Sequence, residues 1–487
     1  MKKCVFISVY NRKLIVELAD ALRGLGYDIF STGATYKLLH RSDVKSAQIK
    51  NVMLNSVLNS ILGLPGALPT QPHIVVADLY PLEKITGQDN FSVEELPEYL
   101  DPFNITILRT AASKFRNIIA LCDSRDYDFV YKKIAEKGDV SAETKKKLAA
   151  KVYNYCAYYD AAVSNYLAGK NNLLELENAV LPLTKMADVQ GEDKNQKCFF
   201  YKLTQIPPTG MSAIKIIQGK SFTYNHYMDI NYALELISGF ENGCLALRHM
   251  HIQSLAFGRS PVENFSSVAD RGIEGCIIAF NEKVDLETSG ILSKSKVEAV
   301  LAPEYSGEAL NLLKMKKRLK LIVFKPLLGI PNDVEIHSVC GGVLARGIEH
   351  EQEKFRSANT RKPSPFEMNL LKKAWHIVKF AKSYSAVFLN NFRILSIADG
   401  QGDSADSVLQ AVEKLRKNHP ILAANEMLVF ASDMPLTSDL VNEIVKCKVS
   451  AIVSPENSSS RENAQCAKVC EEYSLPLVFA DRRQFRK

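Results

Sequence analysis

The stretch 277–323 limits the possible folds more than any other part of the chain. It opens with the apolar run Ile277-Ile278-Ala279-Phe280 and passes through a helical pattern. A second apolar strand follows over Val297–Pro303, and another helical pattern leads into a third strand. Continuous apolar runs mark strands buried on both faces. Strands alternating with helices at this spacing predict a parallel sheet covered on both sides, hence an α/β protein.

The same rhythm recurs at the N-terminus. It reads as strand (Val5–Val9), helix (Lys13–Leu25), strand (Asp28–Ser31), the turn Thr32-Gly33-Ala34-Thr35, and a further helix. Leu14, Leu18, Ala21, Leu22 and Leu25 fall near helical spacing and are expected to pack on the sheet. Gly26 is set to end that helix. Strands are expected at His73–Asp78 and Asn117–Asp123, with a helix around Thr106–Lys114. A chain of 487 residues exceeds one core. The segment Asn178–Lys197, with Pro182 and Gly191, reads as an interdomain connection. Three regions result: 1–185, 198–345 and 366–487, the last with strands at Ser385–Leu389, Ile394–Ile397, Met427–Ala431, Ala451–Val453 and Pro476–Ala480. No short repeat is visible.

Composition excludes several classes. Apolar residues at 46% and charged residues at 24% are ordinary for a globular protein. No apolar run is long enough to span a membrane. The start lacks the apolar region and cleavage site of a signal peptide, so a cytoplasmic protein is expected. The ten cysteines show neither a disulfide ladder nor zinc-type spacing, and no metal is expected. The basic run 314–320 has no interleaved aromatics, which speaks against nucleic-acid binding. The net charge of +7 suits anionic small molecules and solubility equally.

Several short motifs carry chemistry. Ser31-Thr32-Gly33-Ala34-Thr35 is a strand-to-helix turn, whose free N–H groups and hydroxyls suit an anion. Ser8 and Arg12 end the first strand at the same sheet edge, where a guanidinium can grip phosphate in bidentate fashion. Arg248-His249 follows a strand ending at Leu247, giving an imidazole beside a permanent cation.

These segments, in this order along the chain, resemble the bifunctional AICAR transformylase/IMP cyclohydrolase family. The resemblance runs from Val5 to Arg486. It implies an N-terminal methylglyoxal-synthase-like domain, followed by a transformylase region of two cytidine-deaminase-like α/β subdomains. On the cyclohydrolase side Arg12 matches a phosphate-binding Lys, and Ser8, Ser31, Thr32, Gly33 and Thr35 accompany it as substrate-binding residues. Asp78-Leu79-Tyr80-Pro81 matches Asn-Leu-Tyr-Pro, whose Tyr serves ring closure. Asp101 opens a run that reads Asp101-Pro102-Phe103-Asn104 where the family has Asp-Ile-Gly-Gly, and Arg109 matches a family Arg. A family segment supplying a catalytic Lys corresponds here to Asn51–Gln71, which holds no charged residue. The cationic partner for ring closure is therefore missing from the sequence.

On the transformylase side His249 matches the family base, and Arg248 replaces its Lys. Arg keeps the charge but does not shuttle a proton. Tyr224 and Asn225 match a substrate-contacting segment, with His226 in place of a second Asn, and Gly400-Gln401 matches a folate-side motif. Asp188–Gln196 has lost the phosphate-binding Arg and the His of its motif, and Ser432-Asp433 has lost the aromatics that follow it. The implied activity is formyl transfer from 10-formyltetrahydrofolate, a co-substrate, to AICAR, then cyclisation of formyl-AICAR to IMP. The implied assembly is a homodimer. The substitutions motivate a second reading, a non-catalytic relative that binds a purine nucleotide or acts as a scaffold.

Overall fold

A computed structural model of the chain describes residues 3–50, 54–82, 91–168, 180–193, 195–203, 210–325, 334–347, 353–419 and 427–483. Of the motif residues, Lys194 and the basic ending Gln484-Phe485-Arg486 lie outside the described residues. The chain divides into two compact units. One comprises Met1–Thr184, Tyr201–Pro207 and Val334–Gly347; the other comprises Lys185–Phe200, Pro208–Asp333 and Ile348–Lys487.

The first unit holds five strands: β1 (Cys4–Ser8), β2 (Asp28–Thr32), β3 (Ala47–Ile49), β4 (Ile74–Ala77) and β5 (Ile119–Leu121). They run parallel in the order β3-β2-β1-β4-β5. Alternate residues of β1 feed opposite cores, Val5 and Ile7 on one face and Cys4 and Phe6 on the other. Both faces are thus covered, as continuous apolar strands require. The helix Ile15–Gly24 corrects the expected face. Leu14 takes φ +59° and becomes its N-cap, so the buried stripe is Ile15, Leu18, Ala19 and Leu22. Leu14 and Leu25 are exposed. The stripe steps by i, i+3, i+4, i+7, which keeps one face inward better than the expected set does. Gly26, at φ +85°, closes the end by donating to Arg23 O.

Part of the segment expected as the interdomain connection forms one strand of a two-stranded sheet, β6 (Leu183–Gln190) with β7 (Lys197–Leu203). The second unit contains a duplication, in keeping with the two like subdomains that the resemblance implies. Strands β8 (Lys215–Gln218), β9 (Gly243–Arg248), β10 (His251–Phe257), β11 (Ile277–Phe280), β12 (Ala299–Ala302) and β13 (Lys320–Val323) form a sheet in the order β10-β9-β11-β12-β13-β8. A hairpin follows in sequence, β14 (Val334–Val339) and β15 (Gly342–Gly347), turning at Gly341 with φ +77°. Strands β16 (Phe355–Ser357), β17 (Ala386–Leu389), β18 (Ile394–Ala398), β19 (Val429–Ser432), β20 (Ala451–Pro455) and β21 (Leu477–Ala480) then form a sheet in the order β18-β17-β19-β20-β21-β16.

The two orders correspond strand for strand. In each, three parallel strands are flanked by antiparallel ones. The stretch 277–323 supplies β11, β12 and β13, the parallel strands of the first copy. Even a polar clamp recurs: Asn281, just after β11, accepts from Gly243 N at 2.5 Å, and Asp433, just after β19, accepts from Ser385 N at 2.5 Å. The helices Tyr224–Ile237 and Pro365–Phe380 occupy equivalent positions. Both contribute to one apolar core with residues of both sheets, including Tyr232, Leu236, Leu247, Trp375 and Val387. The edge strands β10 and β18 meet through an antiparallel bridge at Ala256 and Arg393.

Candidate active sites

In the first unit the carboxyl ends of β1, β2 and β4 bring the expected groups together. Thr32 Oγ1 donates to Ser8 Oγ at 2.9 Å. Thr35 Oγ1 accepts from Val9 N at 3.0 Å and donates to Val9 O at 3.2 Å. The helix Gly33–Arg41 starts at Gly33 with φ +46°, and no side chain caps it. Its first N–H groups therefore remain available to an anion. Ser31 Oγ is buried beside them with no hydrogen-bond partner among the described residues. Arg12 is exposed on the loop after β1.

Three further side chains organise this edge. Asp78 is buried and accepts from Tyr10 N at 2.5 Å and Asn11 N at 3.0 Å. Burial pushes its carboxyl up to about 6, against the pull of those two N–H donors. Asn104 Nδ2 donates to Asp78 O at 3.1 Å and Ser8 O at 3.4 Å, which ties the helix Pro102–Ser113 to both strands. Asp101 caps that helix, accepting from Phe103 N and Asn104 N. It also faces Tyr10, whose hydroxyl is pushed up to about 12 by burial and then by the carboxylate. Tyr80 is half-buried, its ring edge-on to Tyr10 with centroids 5.5 Å apart and tilted against Tyr99 at 5.4 Å. Arg109 departs from the expected grouping. It lies two turns into the helix and pairs with Asp160.

In the second unit the site is built on a strained turn. Only His249 and Met250 separate β9 from β10, and both adopt positive φ, 51° and 59°. Two-residue hairpin turns of this kind favour Asn-Gly, because side chains resist φ > 0. Asp229, buried on the helix Tyr224–Ile237, holds the turn. Its carboxylate accepts from His249 N at 3.0 Å and Met250 N at 2.6 Å. Burial raises the Asp229 carboxyl, and the same two N–H groups oppose that rise. The His249 ring is left exposed, with exposed Arg248 directly before it. Arg248 is the ladder partner of His251, and its guanidinium faces Glu274 O and Gly275.

Asp229 also links the turn to Tyr224 and Asn225, which begin its own helix about 7.5 Å further along the axis. His226 does not point at a ligand. Its Nδ1 accepts from Thr223 N at 3.1 Å and its Nε2 lies 2.8 Å from Glu298, so it serves as a helix cap. Gln190 N donates to Phe222 O, which brings the 188–196 segment alongside this helix start. Gln401 donates to Asp399 O at 2.9 Å and accepts from Gln410 at 2.8 Å. Asp399 in turn lies 3.7 Å from His251, so Gln401 is tied to the β9–β10 hairpin. The buried Asp433 accepts from Tyr384 N and Ser385 N and contacts Arg483.

Sequence reasoning singled out neither Asp229, Asp399 nor Tyr10. The one available signal was the two-residue gap between β9 and β10, which demands positive φ and hence an external hold. Among the described residues no group of His, Cys, Asp or Glu is arranged to hold a metal ion.

A family model described as "AICARFT/IMPCHase bienzyme" matches residues 111–414. The bifunctional purine biosynthesis protein PurH of Caldicellulosiruptor saccharolyticus is 30% identical, with 100% of both chains covered. The protein of the same name from Clostridium botulinum is 31% identical, again with 100% of both covered. That of Aquifex aeolicus is 28% identical over 99% of each. With the family model covering more than half of the sequence and this likeness running end to end, the chain belongs to the AICARFT/IMPCHase bienzyme family.

Proposed function

We propose that the chain carries out two steps of de novo purine biosynthesis: formyl transfer from 10-formyltetrahydrofolate to AICAR, and closure of formyl-AICAR to IMP. Formyl transfer belongs to the regions 198–345 and 366–487, and ring closure to region 1–185. The observation that carries the reading is the His249 turn held by Asp229. It presents an imidazole and a permanent cation at a hairpin tip held by the helix that begins at Tyr224 and Asn225.

In the transfer, the AICAR amine attacks the formyl carbon while His249 takes its proton. The Arg248 guanidinium stabilises the oxyanion that forms. Collapse expels the folate nitrogen, which receives the proton from His249 and leaves as tetrahydrofolate. In ring closure, the carboxamide nitrogen attacks the new formyl group and water is lost. Ser8, Ser31, Thr32, Gly33, Thr35 and Arg12 hold the nucleotide phosphate. Tyr80 and Asp101 act at the closing ring, and Arg109 assists substrate binding from its helix.

The protein is further proposed to be a cytoplasmic homodimer. The hairpin β14–β15 supports the dimer, because it exposes Ile336, Val339, Val343 and Leu344, and a lone two-stranded ribbon is marginal in water. Among the described residues no helix is long and apolar enough to cross a membrane. The test is direct. Purified protein given AICAR and 10-formyltetrahydrofolate releases tetrahydrofolate and accumulates IMP. Absence of AICAR-dependent tetrahydrofolate release overturns the transferase reading, and failure to convert supplied formyl-AICAR overturns the other half.

A further inference from the structure

A cleft of about 950 Å³ lies along the seam where β10 meets β18. Its lining is rich in cations: Arg271 follows the helix Pro261–Ala269, Arg393 precedes β18, and Lys414 and Lys417 stand on the last turns of the helix Ser404–Asn418. Among the described residues only two carboxylates line it, Asp270 and Asp399, and both are engaged. Asp270 accepts from Arg393 Nη1 at 3.3 Å, and Asp399 lies 3.7 Å from His251. Among the described residues Arg271, Lys414 and Lys417 form no ion pair. Arg271 donates to Leu395 O and, at 2.7 Å, to His419 Nε2; Lys414 donates to Ile397 O at 3.0 Å.

One ordinary explanation is that these cations satisfy the free carbonyls of an edge strand. It accounts for Arg271 and Lys414, though a neutral Gln would serve as well. It leaves Lys417 without an account and covers Arg393 only in part, through its Nη1, which donates to Ser267 O at 3.5 Å and to Asp270 at 3.3 Å. Arg393 Nε is buried with no hydrogen-bond partner among the described residues. Burial and the neighbouring Arg393 pull the Arg271 guanidinium below its ordinary value, so the two cations repel each other. Two guanidinium groups brought this close are costly to hold together. A doubly charged oxyanion offsets the cost, since guanidinium forks match its oxygen atoms in pairs.

We infer that this cleft, which shares Asp399 and His251 with the surroundings of Gln401, is an anion site that takes a phosphate-class dianion between Arg271 and Arg393, with Lys417 at its rim. The phosphate could be free or carried on a nucleotide. Calorimetric titration of the full-length protein, at matched ionic strength, separates these sources by using inorganic phosphate in one arm and AMP in the other. The first unit offers its own phosphate cradle, so the readout is the difference between wild type and variants. Arg271→Gln is expected to weaken binding at this site about tenfold relative to wild type. Lys417→Gln, a change at an exposed position, is expected to cost about threefold and keeps the test open if Arg271→Gln fails to fold. Binding in the phosphate arm identifies a free anion, and binding in the AMP arm alone identifies a nucleotide. Equal stoichiometry and affinity in wild type and both variants overturn the inference.

Discussion

The two candidate active sites are assembled in different ways. In the first unit, functional groups gather because parallel strands end together: Ser8, Thr32 and Asp78 stand at the tips of β1, β2 and β4. Topology does the gathering, and each backbone conformation there is ordinary apart from Gly33, where glycine relieves the strain. In the second unit, one imidazole is exposed by a turn that its residues resist, and a buried carboxylate from another element opposes that resistance. The first arrangement tolerates change in individual groups. The second concentrates its dependence on Asp229. Positive φ at non-glycine residues costs of order 1–3 kcal/mol each, and such strain gathers where function requires it.

The contrast can be broken most sharply at the turn. His249→Asn keeps a residue that accepts positive φ but removes the base. Transformylase turnover is expected to fall by about 10²–10⁴-fold, with ring closure of supplied formyl-AICAR unchanged. Equal loss of both activities would show that the two sites are not separate. Asp229→Ala releases the turn while leaving the imidazole in the chain. We expect about 100-fold less formyl transfer from the misplaced ring. A stability loss of about 2 kcal/mol is expected from the two orphaned N–H groups, read by denaturant unfolding.

The first unit gives a pH test. The Asp78 carboxyl is raised in the folded protein to about 6, above its ordinary value. Between about pH 4 and 6 the folded state keeps a proton that the unfolded state has released, so this group's contribution to stability declines as pH rises. It amounts to about 2–3 kcal/mol across that window. Asp78→Asn is expected to flatten this part of the unfolding profile, whereas an unchanged slope would assign the titration elsewhere. Arg248→Lys restores a residue able to pass a proton, and we expect a gain of up to about tenfold in formyl transfer. No gain would make the other substitutions limiting. Smallest of all, Arg109→Gln breaks an exposed pair with Asp160 and is expected to cost under about 1 kcal/mol. A modest rise in KM for formyl-AICAR is expected from the lost substrate contact, and an unchanged KM would leave Arg109 to that pairing alone.

The α/β class was legible because apolar runs such as Ile277–Phe280 and Val75–Ala77 declare strands covered on both sides. The strand-to-helix turn at 31–35 was legible because its signals are local. The duplication was legible only through the family resemblance, which implies two like subdomains; the residues alone do not show it, because strand order is a property of pairing, and Asn281 and Asp433 do the same work with different letters. The support of the His249-Met250 turn escaped for a similar reason. Asp229 is 20 residues from His249 in sequence, and its helix shows only that it is buried, not what it touches. Leu14 was misread because nothing nearby signals that a leucine would adopt a left-handed cap.

The doubling of the second unit supplies its own reference specimen. Where one copy reverses direction through His249-Met250, its counterpart takes the longer course Asn390–Arg393, with the Asn390 amide closing the bend onto Phe392 N and Arg393 N. No residue of that longer loop has positive φ. Nature has thus tried the same architecture twice, once taut and once slack. Grafting the slack loop into the taut position should yield a sturdier molecule that has forfeited its chemistry.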